Sequence, residues 1–383
     1  MISAMPSRIF VKDVTENTIW KAVIHHLNAC FFGWFPDKDQ NEEDWPPNSQ
    51  ESKYANTEFC DGQYFLVCWG LAADLDYHAN SFKIAHFNAN EDCCNYCPAN
   101  RTVHLITDVS TNASWKPLVF TVLMIDKLFP SDHVIWTLVG VRRWHIMLDL
   151  MHSGDLGVLV YFLGGVFVEL LLWGPYSGTQ ASRLGQLWAD IQEVYDSIPA
   201  LRVNRLNRLD VSMFYTPGEF GLFKAKAAES RHFLPVIMEV CKKHNNNSTW
   251  HRMRLLAGSS LMEMYDVILA GGLFLSKDES LRVCKAYDRF LLAYNWLVNY
   301  HVRRSEIVYN LAAKFHVMWH IAQMSKWINP RAVWCYGFES FMSLVKRSAV
   351  ACLAGTSLQG IGQKLLYNFL FVLHLRDRHD EDL

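Results

Sequence analysis

His316-Val317-Met318-Trp319-His320 is the stretch on which the reading of this chain turns. Two imidazoles at i and i+4 project from one face of a helix and can reach one ion. Nineteen positions later (339 − 320) comes Glu339, closing the apolar stretch Trp334-Cys-Tyr-Gly-Phe-Glu339. Far upstream, Asp74 is followed twenty positions later (94 − 74) by Cys94-Asn-Tyr-Cys97. Two thiolates on one tight turn grip half of a tetrahedral zinc, and a histidine pair can supply the other half. A set of four leaves no open position, so the Zn²⁺ expected here is structural. The segment between the histidines lacks the Glu of His-Glu-x-x-His, which excludes a metalloprotease. The Cys pair alone is equally well read as buried thiols, and for the His pair alone ordinary packing is the plainer reading. The nested order of acid, Cys pair, His pair and acid favours two interlocked metal sites.

Working outward, 383 residues suffice for two or three cores or one elaborated domain. Apolar residues make up 51% and charged residues 19%, which favours a thick helical core over a disordered scaffold. The net charge of −2 provides no global attraction to nucleic acid, so any DNA contact must come from local basic patches. The ten cysteines have no regular spacing, and Met1 to Phe10 lacks a signal-peptide core, so a reducing compartment is expected. Leu156 to Trp173 is apolar enough to span a bilayer, but it carries Glu169 and has no flanking Lys or Arg. A buried central helix is the expectation, with no membrane.

The fold expected is α+β and predominantly helical, in four segments. Residues 1–60 are irregular after a short amphipathic stretch, Thr18 to Leu27. Residues 61–114 form a small α/β part, with Tyr64 to Leu71 a buried strand and Thr102 to Ile106 a second. Asp74 then falls at a strand's carboxyl end, where open sheets place ligand-binding groups. Residues 115–305 are an all-α domain, with helices over Gln180 to Ile198, Phe220 to His244, Thr249 to Leu269 and Glu279 to Arg303. Ser276-Lys-Asp-Glu279 is a capping box opening the last of these. Residues 306–383 supply helices over Ile307 to Trp327, Val333 to Leu353 and Leu358 to Leu375, which return the His pair and Glu339 to the core.

Asp74 and Glu339 are the candidate catalytic carboxylates. Paired acids suit Mg²⁺ or Mn²⁺, and two such ions ~3.5–4 Å apart can drive phosphoryl transfer. Asp76 competes with Asp74. Asp149-Leu-Met-His152 brings an acid and a base together at i, i+3, either as a helix-opening hydrogen bond or as part of a site. Lys346 and Arg347, two turns beyond Glu339, are candidate contacts to DNA phosphates. Lys224, Lys226 and Arg231 could track phosphates too, although a solvated helix face is the plainer reading.

On these motifs the chain resembles eukaryotic DDE transposases of the CACTA and Transib type, related to the V(D)J recombinase catalytic core. The resemblance covers roughly residues 60–360 in order and spacing. It implies an RNase H-like core, partial here, interrupted by a large all-α insertion. It casts Asp74 and Glu339 as catalytic, Asp149 and His152 as the motif opening the insertion, and Cys94, Cys97, His316 and His320 as zinc ligands. It further implies DNA partners (transposon ends and target), a homodimer, a nuclear location and two-metal DNA strand cleavage and transfer. One departure stands out: the family's first catalytic Asp has no clear counterpart, Asp13 after Ile-Phe-Val-Lys being the nearest. That points to an N-terminally truncated and inactive element. The alternative is a catalytically dead, zinc-stabilised helical module that binds DNA or protein.

Overall fold

The computed structural model describes residues 11, 13–128, 132–352, 355, 357, 360–368 and 370–371. The chain is predominantly helical, with 59% helix against 3% strand. Its helices are α1 (Val14–Phe32), α2 (Gln50–Tyr54), α3 (Leu75–Asn80), α4 (Val122–Leu128), α5 (Leu159–Trp173) and α6 (Gln180–Ser197). There follow α7 (Ala227–Lys243), α8 (Thr249–Ala270), α9 (Lys277–Val302), α10 (Ala313–Met324) and α11 (Tyr336–Cys352). Two-residue strands β1 (Leu71–Ala72) and β2 (Ile146–Met147) pair in parallel, with Leu71 opposite Ile146 and Ala72 opposite Met147.

The core is organised around α5, entered through a wider π-helical turn over Met151–Val158. Phe162 to Leu171 of α5 is buried throughout, and α6 and α7 pack against the helix. Phe167 stacks on Phe233 of α7 with ring centroids 5.5 Å apart and on Phe214 at 4.6 Å. Helices α8 and α9 form a long hairpin beside them. Met151–Trp173 is thus long and apolar enough to cross a membrane, yet 78% of its apolar window is buried among the other helices. Gly164 and Gly165 are required by close approach. A Cβ on Gly164 would lie 2.4 Å from the backbone of Gly221, and one on Gly165 would lie 2.1 Å from the Tyr309 ring.

Glu169, the acid inside this apolar helix, is wholly buried and paired. Arg254 of α8 reaches it at 3.0 Å and His301 of α9 at 2.8 Å, while His301 also contacts Glu306 at 2.7 Å. An unpaired buried charge costs several kcal/mol, so the pair fixes which faces of α5, α8 and α9 meet.

Two expected strands are corrected. Tyr64 to Leu71 is exposed over most of its length, Tyr64 at 69% and Phe65 at 70%, and only Leu71 enters a ladder. Its aromatic and branched residues favour extended backbone, but a buried strand needs partners on both sides, and most of this segment finds none. Thr102 to Ile106 is a turn, because the Asn100 side-chain oxygen accepts from the backbone N–H groups of Thr102, Val103 and His104 at 2.8–3.0 Å. That Asx geometry supplants a strand.

The helix expected from Phe220 begins only at Ala227. The preceding segment crosses α5 in extended form, with Phe223 N–H donating to the Val160 carbonyl at 2.9 Å. The helices expected from Ile307 and Val333 begin at Ala313 and Tyr336. Residues 360–368 are helical, and the rest of the stretch from Leu358 to Leu375 lies mostly outside the described residues.

Arg254→Met is expected to lower unfolding stability by about 3 kcal/mol, because it leaves the buried Glu169 with His301 alone. Urea denaturation checks this, and a loss below about 1 kcal/mol, the size of a surface pair, would show that Glu169 is not held by Arg254.

Candidate metal centre and carboxylate cluster

Cys94 and Cys97 sit on a compact turn after α3, and His316 and His320 face them from successive turns of α10. One ligand atom from each of the four lies within 4.8 Å of all the others, and all four residues are buried. Cys97 Sγ is 3.4 Å from His316 Nε2, which is 3.2 Å from His320 Nε2. Donors on one tetrahedral ion with bonds of 2.0–2.3 Å stand about 3.3–3.8 Å apart, so the group could hold a metal such as zinc.

The donor chemistry agrees. Burial opposes charge on Cys94, but the hydrogen bond from Cys97 and the fields of His320 and His316 outweigh it and hold the thiol well below its usual range. Burial pushes Cys97 up and His316 down, so the imidazole stays neutral, the form that ligates. His316 Nδ1 is buried without a hydrogen-bond partner. Tyr96 N–H donates to Cys94 Sγ at 3.3 Å. The fully buried Trp115 closes the site, its ring 4.2 Å from that of His316. Nothing in the sequence flagged Trp115, since one of fourteen tryptophans has no distinguishing spacing.

A second cluster forms where β1, the start of the π-helical turn and α11 converge. The buried Asp149 carboxylate accepts from the N–H groups of Met151, His152 and Cys335 at 3.0, 3.0 and 2.8 Å. His152 Nδ1 donates to it at 2.5 Å. Burial opposes the Asp149 charge, and these bonds outweigh that and lower its pKa. The hydrogen bond to Asp149 raises the His152 pKa against burial, with further support from the fields of Glu339 and Asp74. His152 Nε2 lies 3.4 Å from Glu339 Oε1.

Asp74 caps α3, accepting from Tyr77 N–H at 2.6 Å, directly after β1. Burial drives the Cys335 thiol upward, and the charge of Asp149 and the fields of Asp74 and Glu339 add to it. Glu339, His152 and Asp149 thus stand side by side, and Asp74 follows Ala72 by two residues as Asp149 follows its strand partner Met147 by two. Asp76 is exposed and pairs with His86 at 3.3 Å. Asp13 is exposed and pairs with Lys83 at 3.2 Å. Lys346 and Arg347 are exposed on α11.

Arg231 faces the interior. It contacts Asp155 at 3.5 Å and stacks over Trp334 and Tyr336 at 4.9 Å. Asp155, which sequence reasoning passed over, is wholly buried and accepts from the hydroxyls of Tyr265 and Tyr336 at 2.6 Å. Burial pushes its pKa up to about 6, against the lowering effect of Arg231. Lys314 also adjoins the cluster, donating to the Leu156 carbonyl at 2.9 Å within the fields of Asp76 and Asp149. Its place three residues after His152 was the one sequence signal for Asp155.

Comparison with family models, curated proteins and solved structures finds no match to this chain.

Cys97→Ser, or chelation of the wild type, is expected to lower bound zinc and melting temperature together, because such binding energy is folding energy. Metal analysis with thermal denaturation checks this, and unchanged stability on zinc removal would refute it. Asp155 gives a pH-dependent outcome. The folded carboxyl keeps its proton to about pH 6, whereas the unfolded one releases it about two units lower. The folded state therefore binds the extra proton in that window, and its stability falls as pH rises through it. Relative to Asp155→Asn, the wild type should lose about 2 kcal/mol between pH 4 and pH 7, measured by denaturant titration at both.

Proposed function

We propose that this chain is a DDE transposase-derived protein, with a partial RNase H-like core and DNA as its substrate. One observation carries the reading. Asp74 and Glu339 are 265 positions apart (339 − 74), yet Asp74 directly follows the strand that pairs beside Asp149, and Glu339 lies 3.4 Å from the His152 ring that Asp149 holds. Nothing local joins a strand-end acid to an acid on a late helix, and a returning chain is what the resemblance implies. The Cys/His group supports it by tying the same two regions, its cysteines following Asp74 and its histidines preceding Glu339.

In this reading Cys94, Cys97, His316 and His320 hold a structural Zn²⁺. Asp74 and Glu339 would hold Mg²⁺ or Mn²⁺, which would supply the Lewis acidity that strand cleavage and transfer need. The chain's own residues position these groups. Asp74 is fixed by its cap on α3, Glu339 by the anchor of α11 on Asp149, and Asp149 holds the His152 ring beside Glu339. Lys346 lies seven residues after Glu339 on the same helix face, about 10 Å along it, placed to meet a backbone phosphate. Assembly on transposon ends and target as a homodimer, in the nucleus, completes this reading.

A second reading has one observation in its favour. Asp13, the nearest counterpart of the first catalytic Asp, is committed to Lys83 among α1 and α3. With two acids of three, the chain would be a zinc-stabilised DNA- or protein-binding module.

Nicking of supercoiled DNA in Mn²⁺, compared with Glu339→Gln, separates the readings. Metal-dependent nicking lost in the variant supports strand cleavage. DNA binding without nicking supports the module, and neither behaviour removes DNA from the proposal. Lys346→Ala with Arg347→Ala is expected to weaken DNA binding and reduce the slope of log K against log salt by about 2.

A further inference from the structure

A cavity of about 180 Å³ lies between α9, α10 and the loop that leads to Lys116. Val109 and Leu291 give it an apolar side, and Leu292, 58% exposed, forms part of its rim. Trp319 is a further wall, and the charged side chains of Lys116 and Asp288 share the lining.

The two charges are incompletely matched. The Lys116 side chain is only 16% exposed, yet among the described residues its ammonium has no acceptor within hydrogen-bond distance. Asp288 Oδ1 stands 3.9 Å away, and the other neighbours are the rings of Trp115 and Trp319 at 5.7 and 5.8 Å. Asp288 Oδ1 already accepts from the Trp319 indole N–H at 3.1 Å, and Oδ2 has no partner among the described residues. An ammonium held away from bulk water without acceptors is costly, and a carboxylate brought to it offsets that cost.

A simple anion is a poor match, because on Lys116 it would sit beside the like charge of Asp288. A ligand that carries an ammonium next to its carboxylate removes the conflict, since each charge then meets its opposite. An α-amino acid has this arrangement, with one carbon between its nitrogen and its carboxylate. Size limits the rest of the molecule. A cavity of about 150 Å³ accepts a benzene ring, so this one admits a branched aliphatic side chain but not an indole.

We propose that this cavity binds a free aliphatic α-amino acid, its carboxylate on Lys116 Nζ, its ammonium on Asp288 Oδ2 and its side chain among Val109, Leu291 and Leu292. The site uses none of the Cys94, Cys97, His316 and His320 donors and does not depend on the strand-transfer reading. Trp115 packs against both regions, its ring 5.1 Å from that of Trp319 and 4.2 Å from that of His316.

The test is calorimetric titration of the full chain with L-leucine, read alongside the indole N–H resonance of Trp319, assigned by its loss in Trp319→Phe. Leucine should bind saturably at a single site per chain and shift that resonance. Leucinamide lacks the carboxylate, N-acetylleucine lacks the ammonium and glycine lacks the apolar side chain, so each should bind about tenfold or more weakly. Lys116→Met keeps an unbranched side chain in place of the ammonium, and Asp288→Asn retains an acceptor for the Trp319 indole. Each should weaken leucine about tenfold or more at an unchanged melting temperature. The derivative series uses the wild-type chain, so it decides the question even where a variant misfolds. Leucine that fails to saturate, that binds no better than its two blocked derivatives, or that binds a folded Lys116→Met variant as well as the wild type would overturn the proposal.

Discussion

The buried carboxylate of Asp149 is the constraint on which the rest of the candidate site depends. It accepts four hydrogen bonds: two from the backbone that opens the π-helical turn, one from the His152 ring, and one from Cys335 N–H at 2.8 Å, 186 positions along the chain. A buried carboxylate is tolerated only when its lone pairs are satisfied, so losing any donor carries a desolvation penalty beyond the bond itself. Asp149 therefore acts as a joint. It fixes where α11 leaves the core, and with it where Glu339 faces His152.

Two further buried charges hold the surrounding scaffold in register. Glu169 locks α5 to α8 and α9 through Arg254 and His301, and Asp155 locks the π-helical turn to α7, α8 and the start of α11 through Arg231, Tyr265 and Tyr336. Replacing such pairs with apolar residues is often neutral or stabilising, so their contribution lies in specificity. The close approaches at Gly164 and Gly165 already favour one face of α5, and the buried charges add to that choice. A paired charge permits one orientation. The wider helical turn at Met151–Val158 suits the same purpose, since an i→i+5 turn re-aims the side chains that follow it.

The Cys/His group and the Asp149 joint address the same problem from two sides. One ties the turn after α3 to α10, and the other ties the strand pair's end to α11. Between these ties lies the whole helical domain, so neither anchor results from local folding. Trp115 seals the first with its ring against His316, which keeps water from competing for the donors.

The sequence by itself determined the helices whose apolar period is uninterrupted. Gln180, Thr249 and the capping box at Ser276 mark helix starts that fall within two residues of those observed. It also singled out the four Cys and His residues that the fold gathers into one buried group, because spacing on a turn or one helix face is a local property. Tertiary structure decided whether Tyr64 to Leu71 found strands to pair with, because aromatic and branched residues favour extension without supplying a partner. It decided that Arg231 turns inward, since no helical period reveals a buried acid on another element. It decided that Asp155, Cys335, Lys314 and Trp115 border the sites, and that Asp13 pairs with Lys83. Those outcomes depend on contacts between residues tens to hundreds of positions apart, and only the packed chain brings such residues together.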